Sequence, residues 1–436
     1  MADRRLGGTG TNQEAVRQHN LATLLGHVHR SGGVSRAQLT ERMGLNRSTI
    51  ADLVRELEDL GAVRQSKPEA GAGRRVGAGR PSIDVDPIEQ SVFVLAAELG
   101  VETMEVARVG LGGRLLDRMS TATPLQRDPE SVVATLVEMM RAMLGTVTPD
   151  ARLVGVGVAV PGVVADDAGL VRFAPNLGWN DVGLTRLLRA HLGPDLPVHL
   201  GNDAALGALS EHTRGAARRL SHLIFLSCDV GVGGGVIVGG APMMGASGYA
   251  GEIGHQPFNP GGRRCRCGNV GCWETEIGTH AVAAAVGCPE DRMHLLSEYL
   301  KPGTTPTPEL RRLGRSLGLG LGGLVNLFNP EMVVLGGVLR QVFPLVEDEV
   351  LLAMRDWAMG PAAEEAQIVL PGLGGDSVLV GAAELAFTDL LQDPVATLAL
   401  ADGAVATLTD SAQAGSVQTG SVQAGSVQTG SARRPA

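Results

Sequence analysis

The loop at residues 251–274 most constrains the fold, because it gathers four possible metal ligands into a short length of chain. His255, Cys265, Cys267 and Cys272 are separated by ten, two and five positions. Three thiolates and one imidazole fill the tetrahedral shell that zinc prefers and leave no position for water. The spacing therefore predicts a structural zinc ion, with a disulfide or a cluster of reduced cysteines as the alternatives. Arginines at positions 263, 264 and 266 would offset part of the thiolate charge.

The same loop and an earlier glycine run carry a resemblance to a known family. Gly-Glu-x-Gly-His at 251–255 precedes Cys-x-Cys-Gly-x-x-Gly-Cys-x-Glu at 265–274, and glycines are dense at 231–235. These motifs resemble the signatures of the ROK family, which holds bacterial sugar kinases and transcriptional repressors, and the likeness extends over most of residues 16–392. The resemblance implies an α/β body with two lobes of the actin-like, ribonuclease-H-like ATPase fold and a cleft between them. Strand and helix patterns alternate after position 91, as such a body requires.

The charge distribution favours a basic first domain on an acidic body. Residues 1–82 contain thirteen arginines or lysines and eight acidic residues, although the whole chain has a net charge of −9. A basic domain of this kind can approach a phosphate backbone. No apolar run reaches the length of a membrane span, and the polar N-terminal segment lacks the apolar core of a signal peptide. We therefore expect a cytoplasmic protein with no membrane partner.

The segment at 12–60 has the pattern of a helix-turn-helix. A first helix at 12–30 is followed by Ser35 and Gln38, which form a capping-box pair at the start of a second helix. Gly44 then provides a tight turn, and Asn46 is a plausible cap for a third helix from Arg47 to about position 60. Such a third helix would lie in the DNA major groove, whereas a solvated helical face is the alternative.

Two strands at 62–65 and 82–85 enclose a loop rich in glycine and arginine, which predicts a wing. A basic disordered linker is the alternative. The arrangement resembles the winged helix-turn-helix that ROK repressors carry and ROK kinases lack. The predicted DNA contacts are polar or cationic side chains of the helices and the wing: Arg36, Asn46, Arg47, Ser48, Thr49, Arg55, Arg74, Arg75 and Arg80.

The resemblance also implies a sugar site, because several polar residues match sugar-contacting positions of the family. These residues are Asn176, Asn202, Asp203, Glu252, His255 and Glu274. Carboxylates and amides suit vicinal hydroxyl groups, whereas surface charge or salt bridges with local arginines are the alternative for the two glutamates. Asp203 occupies the place of the kinase base. We expect no catalytic residue. If the chain is a kinase, Asp203 is the expected exception.

The phosphate-binding motifs of the kinases are degraded. The kinase turn Asp-x-Gly-Gly-Thr reads Glu-Leu-Gly-Val-Glu at 98–102, and the loop Gly-Thr-Gly-x-Gly-Gly-Gly reads Asp-Val-Gly-Val-Gly-Gly-Gly at 229–235. The added carboxylates would repel a triphosphate unless they recruited magnesium. We therefore expect weak ATP binding.

We divide the chain into a winged helix-turn-helix at 1–86, a first lobe at 91–210, a second lobe with the zinc loop at 211–395, and a tail at 400–436. The last helix is expected to return to the first lobe. Within the tail, residues 411–431 repeat a five-residue unit without charged or aromatic groups, which is typical of disordered chain.

Together these features predict a sugar-responsive DNA-binding regulator of carbohydrate genes, of the repressor type. Its ligand would be a sugar or sugar phosphate, and as a homodimer or homotetramer it would bind a palindromic operator. The first alternative is an ATP-dependent sugar kinase with an attached DNA-binding domain. The second is a zinc-stabilised interaction scaffold. The sequence names neither the sugar nor the operator.

Overall fold

A computed structural model of the protein describes residues 13–67, 83–148, 150–165 and 168–403, together with Val405 and Leu408. At the start of this chain, three helices and three short strands form a winged helix-turn-helix, which confirms that prediction. The helices are α1 (Gln13–Ser31), α2 (Arg36–Met43) and α3 (Arg47–Asp59). The strands are β1 (Val34–Ser35), β2 (Val63–Ser66) and β3 (Asp84–Pro87), paired in the order β1-β3-β2.

Local hydrogen bonds explain why the helices begin and end where they do. The Ser35 hydroxyl accepts from the Gln38 amide N–H at 3.3 Å, and the Gln38 side chain accepts from the Ser35 N–H at 3.1 Å, so the predicted capping box forms. Gly44 ends α2 in the left-handed conformation at φ 66°. The Asn46 side chain accepts from the Thr49 N–H at 2.8 Å and begins α3.

The first lobe is built on a five-stranded sheet in the order β11-β7-β4-β5-β6. β4, β5 and β6 are antiparallel, and β7 and β11 extend the sheet in parallel. Its strands are β4 (Val92–Leu99), β5 (Thr103–Gly110), β6 (Leu115–Ala122), β7 (Arg152–Val160) and β11 (Val198–Asn202). A small sheet adds β8 (Val163–Ala165), β9 (Leu170–Ala174) and β10 (Trp179–Val182), and the helices are α4 (Pro129–Leu144) and α5 (Leu184–Leu192).

Helix α6 (Asp203–Thr213) leads into a second lobe whose sheet repeats the strand arrangement of the first. The order is β14-β13-β12-β15-β16, again with three antiparallel strands extended by two parallel ones. The strands are β12 (Leu223–Cys228), β13 (Val232–Val238), β14 (Ala241–Pro242), β15 (Met332–Gly337) and β16 (Gln367–Val369). The helices are α7 (Glu274–Ile277), α8 (Thr279–Val286), α9 (Leu296–Tyr299), α10 (Pro308–Phe328), α11 (Leu339–Trp357) and α12 (Gly360–Glu365). The repeated arrangement confirms the two-lobed fold.

The C-terminal helices pack against the first lobe. They are α13 (Ser377–Ala386), α14 (Thr388–Gln392) and α15 (Pro394–Ala401). α13 lies against α6 and the first-lobe sheet, and a Cβ at Gly381 would overlap the Leu206 carbonyl oxygen, so the two helices approach closely. The start of the predicted tail at position 400 is wrong, because α15 ends at Ala401 and Val405 and Leu408 are buried; the repeat at 411–431 lies outside the described residues.

One hydrophobic core joins the winged helix-turn-helix to the first lobe, and we call it the shared core. It combines side chains of α1–α3 with one face of the first-lobe sheet and with the C-terminal helices, including Leu24, Leu25, Val28, Val54, Val92, Val94, Ala382, Phe387 and Leu398. Val16 is 45% exposed because α1 is buried only beyond its first two turns. The packing therefore continues across position 86, the predicted boundary between the winged helix-turn-helix and the first lobe.

A buried polar contact also links α1 to the body. Arg214 Nε donates to the Glu384 carboxylate at 2.5 Å, and His29 Nε2 lies 3.3 Å from the same carboxylate. The Gly112 N–H donates to His29 Nδ1 at 3.0 Å, and Arg214 Nη2 lies 2.7 Å from His29 Nε2. Burial alone would raise the pKa of Glu384, but His29 and Arg214 lower it to about 2. Burial lowers the pKa of His29, which favours its neutral form. We therefore assign the buried ion pair to Arg214 and Glu384.

Replacement of Glu384 by glutamine is expected to lower the free energy of unfolding by about 3–5 kcal/mol, because it leaves the Arg214 guanidinium buried without a carboxylate. Urea denaturation followed by circular dichroism measures this loss. Glu298→Gln is the matched control, since the Lys301–Glu298 pair is more than half exposed and should contribute less than about 1 kcal/mol. Equal effects of the two substitutions would contradict the structural role of Glu384.

Candidate metal centre and ligand cleft

The loop at residues 251–274 folds back on itself and brings four side chains together. Isolated β-bridges pair Pro257 with Cys272 and Arg264 with Val270. A Cβ at Gly271, where φ is 71°, would overlap the Asn259 carbonyl oxygen, so this crossing requires glycine. As a result, one nitrogen of His255 and the sulfur atoms of Cys265, Cys267 and Cys272 all lie within 4.8 Å of one another.

This geometry fits a tetrahedral metal ion. Cys267 Sγ and Cys272 Sγ are 3.7 Å apart, and Cys265 Sγ lies 3.7 Å from His255 Nδ1. A zinc ion with bonds of about 2.3 Å to sulfur separates its ligand atoms by about 3.8 Å. Burial raises the pKa of the Cys265 and Cys272 thiols, so a bound cation is needed to hold them as thiolates. All five cysteines are unbonded in this structure.

A cleft of about 450 Å³ lies between the lobes, next to the metal centre. Its walls bring together all six predicted ligand-binding residues: Asn176, Asn202, Asp203, Glu252, His255 and Glu274. Asn176 comes from the loop after β9, Asn202 and Asp203 from the start of α6, and the other three from the metal loop and α7. Their role in binding a ligand stays a prediction.

The first residues of α6 are fixed by backbone hydrogen bonds. The Asn202 side chain accepts from the Ala205 N–H at 3.0 Å and donates to the Gly162 carbonyl at 3.0 Å. One oxygen of Asp203 accepts from the Ala204 N–H at 2.7 Å. These bonds hold the two polar side chains at the cleft wall before any ligand arrives.

His255 connects the metal centre with the cleft. Its Nδ1 faces Cys265, whereas its Nε2 lies 3.8 Å from the Glu252 carboxylate. Glu274 accepts from the Val232 N–H at 3.0 Å and lies 3.3 Å from Cys265 Sγ. A metal ion held by this loop would therefore orient cleft side chains as a supporting shell.

Three carboxyl groups line the same part of the cleft. Those of Glu98 and Asp203 belong to half-buried residues, whereas Asp229 retains an exposed surface. Burial, with Asp229 and Asp203 nearby, raises the pKa of Glu98 to about 8. Burial and Asp229 likewise raise the pKa of Asp203 to about 7. Burial raises the pKa of Asp229 as well, opposed by a hydrogen bond from Ser227 and by the charge of Arg340. Such a cluster disfavours added negative charge.

Sequence reasoning missed two arginines of the cleft wall. Arg266 donates to Asn176 Oδ1 at 3.0 Å, which joins the metal loop to the first lobe. Arg127 donates to the Val101 carbonyl at 3.1 Å and has a left-handed backbone at φ 53°. The position of Arg266 between two cysteine ligands was the available signal, but it was interpreted only as charge compensation. Nothing in the local pattern pointed to Arg127.

The predicted DNA contacts divide into three groups. Arg47, Ser48 and Arg55 are exposed on α3, although Arg55 also pairs with Asp52 at 3.1 Å. Three others are held by the fold itself. Asn46 and Thr49 form the cap of α3, and Arg36 is half-buried. Arg74, Arg75 and Arg80 lie outside the described residues.

Family models match both parts of the chain. Residues 94–389 match the ROK family, and residues 22–75 match the MarR family. The xylose repressor of Bacillus subtilis (strain 168) is 30% identical over 343 residues, which cover 77% of this chain and 86% of that protein.

Two solved structures resemble different lengths of this chain. A ROK family transcriptional regulator, described as a homologue of the E. coli MLC protein, has a TM-score of 0.68 at 24% identity and covers 90% of this chain and 99% of its own. A ROK family glucokinase from Streptomyces griseus, in complex with glucose and AMPPNP, has a TM-score of 0.59 at 29% identity. That structure covers only 67% of this chain, although 99% of its own. The chain therefore belongs to the ROK family, with a MarR-type helix-turn-helix ahead of the ROK domain as in the transcriptional regulators of that family.

Proposed function

We propose that this protein is a sugar-responsive DNA-binding repressor of carbohydrate genes. The observation that carries the proposal is the shared core, which joins a helix-turn-helix to a lobe whose cleft gathers carboxylates and amides suited to sugar hydroxyls. The relatives named as xylose repressors support the same function. Within the described residues, no helix is long and apolar enough to cross a bilayer.

Recognition of DNA rests on the exposed N-terminal end of α3. Arg47 and Ser48 extend from this end, where a helix in the major groove meets base edges and phosphates. A two-fold symmetric dimer would place two such helices on a palindromic operator, with half-sites about one or two turns apart. The sugar acts as an effector only if its affinity differs between the DNA-binding and released arrangements.

The metal centre supports this function without taking part in it chemically. We assign a structural zinc ion to His255, Cys265, Cys267 and Cys272, because three thiolates and an imidazole suit zinc and leave no open position. Bound there, the ion would stabilise the metal loop and hold His255 in place at the cleft wall.

The second candidate is a sugar kinase, favoured by Asp203 alone. A carboxyl with a pKa near 7 can accept a proton from a sugar hydroxyl. However, the raised pKa of Glu98 indicates that this part of the cleft already disfavours negative charge, and a triphosphate would add several negative charges there. Recognition without phosphoryl transfer is therefore the better interpretation.

In a mobility-shift assay, the purified protein is expected to retard DNA from its own promoter region. One monosaccharide of a panel with xylose, glucose and N-acetylglucosamine should release the protein from this DNA. Arg47→Ala should weaken operator binding by about 10- to 100-fold, since one base contact contributes about 1–3 kcal/mol. Arg312→Ala is the control, because Arg312 is exposed on α10 and pairs only with Glu309 among the described residues. Absence of retardation at low salt would refute the regulator function.

With magnesium-ATP and the same sugars, the protein is expected to release no more ADP than its Asp203→Asn variant. The physical reason is that the acidic cluster keeps the triphosphate out of the cleft. A coupled assay of ADP release measures this. Sugar-dependent turnover that Asp203→Asn abolishes would establish the kinase instead.

Metal analysis of the purified protein is expected to find about one zinc ion per chain. Cys272→Ser should lose most of this zinc and lower the melting temperature, because the remaining ligands no longer complete a tetrahedron. Cys288→Ser serves as the control, since Cys288 is buried but lies outside the cluster. Equal zinc contents in both variants would argue against the assigned site.

A further inference from the structure

A second cavity, of about 480 Å³, lies where the helix-turn-helix meets the end of α6. We call it the basic groove, because six of its eight lining residues are arginine or histidine. They are His27, Arg30, Arg42, His212, Arg218 and Arg219, and the other two are Ser31 and Thr213. No acidic side chain of the described residues lines it.

Within the part of the chain that the structure describes, the arginines of the basic groove have no acidic partners. Among the described residues, no carboxylate forms an ion pair with Arg30, Arg42, Arg218 or Arg219, although Arg42 donates to the Ser31 hydroxyl at 3.2 Å. All four are exposed. Burial lowers the pKa of His27, and the charges of Arg30 and Arg42 lower it further. Like charges collected without a counter-charge favour the binding of an anion.

The backbone of the groove is also unusual. Arg219 has a left-handed conformation at φ 74°, which residues with a Cβ rarely adopt. Such conformations persist where the surrounding structure holds them, and they cluster at binding sites. Here the conformation holds two arginines together just beyond α6, within a groove that α1 and α2 complete.

The groove lies at the base-reading end of the helix-turn-helix. Arg17 near the start of α1 pairs with Glu56 in the second half of α3 at 2.7 Å, so the start of α1 lies beside the C-terminal half of α3. The end of α1, at Ser31, contacts Arg42 in the last turn of α2. Since α3 begins only five residues after Arg42, the groove is close to the N-terminal end of α3.

We propose that the basic groove binds backbone phosphates of DNA beside the major-groove contact, so that the ROK body touches the operator through Arg218 and Arg219. This inference rests on the proposed function. Arg42 of the groove precedes Arg47 by only five residues, and guanidinium groups bind phosphate oxygens through paired hydrogen bonds. A simpler role for these cations would be to neutralise the C-terminal dipoles of α1 and α6, which both end at the groove.

The position of the groove ties DNA contact to the ligand cleft. α6 begins with Asp203 in the cleft and ends at Thr213 in the groove, about 16 Å along the same helix. Arg218 and Arg219 follow α6, whereas Arg30 and Arg42 belong to the helix-turn-helix. A change in lobe arrangement that moves α6 would therefore separate or align the two halves of the phosphate site.

The test is fluorescence anisotropy with the full chain, an operator duplex and an unrelated duplex over a range of salt concentrations. In Arg218→Ala/Arg219→Gly, glycine keeps the left-handed backbone available. The slope of log affinity against log salt is expected to fall by about 0.9 for each lost phosphate contact, thus by one to two units, equally on both duplexes. Arg47→Ala should instead reduce the preference for operator over unrelated DNA.

The matched control is Arg312→Ala/Arg315→Ala, which removes the same charge from the exposed face of α10. The inference would be overturned by an unchanged salt slope in the groove variant, or by equal falls of the slope in both double variants. If the unaltered protein still binds the operator in that case, the proposed function stands. A wild-type protein that binds neither duplex would overturn both. In a third outcome, inorganic phosphate raises the melting temperature of the unaltered protein but not of the groove variant, and the variant's salt slope is unchanged. This outcome would identify a small-anion pocket and would also reject the inference.

Discussion

The contact between α6 and α13 is the constraint on which the rest of the structure depends. Glu211 in the last turn of α6 is fully buried, and its carboxylate accepts hydrogen bonds from the amide N–H groups of Gly372 and Leu373 and from the Ser377 hydroxyl. A buried carboxylate is tolerated only when its oxygens are satisfied in this way. These bonds fix the start of α13 against α6. They thereby position the C-terminal helices, which contribute part of the shared core against which α1 packs.

The chemistry of the cleft follows from what this scaffold holds in place. Asn202 and Asp203 are oriented by the first turn of α6, so the sugar-facing wall keeps its shape whether or not phosphoryl transfer takes place. Glu98 and Asp229 lie beside Asp203; burial raises the pKa of both, and the nearby Asp229 and Asp203 raise that of Glu98 further. A neutral polyol is not repelled by these groups, whereas a triphosphate adds charge to a region that already resists it. Under the function proposed above, the cleft would therefore bind a sugar without transferring phosphate.

Sequence patterns predicted the parts of this molecule that depend on local chemistry. Ser35, Gly44 and Asn46 define helix ends through contacts within a few residues, and the cysteine spacing predicted which side chains converge in the metal loop. The contact of His29 with Glu384 joins positions 355 residues apart, and no periodicity in either helix indicates it. The basic groove was missed for the same reason, because its two halves come from positions 27–42 and 212–219.

The placement of α6 also sets a thermodynamic requirement on regulation. If operator DNA contacts both the helix-turn-helix and the chain that follows α6, DNA stabilises the lobe arrangement in which these two surfaces align. A sugar that favours another arrangement must then weaken DNA binding, and DNA must weaken sugar binding by the same factor. Arg214 donates both to Glu384 on α13 and to the His29 carbonyl on α1, so movement at the end of α6 reaches α1 through buried contacts rather than through a loose linker. Under the proposed function, the helix-turn-helix would respond to the cleft because it shares its core with the first lobe.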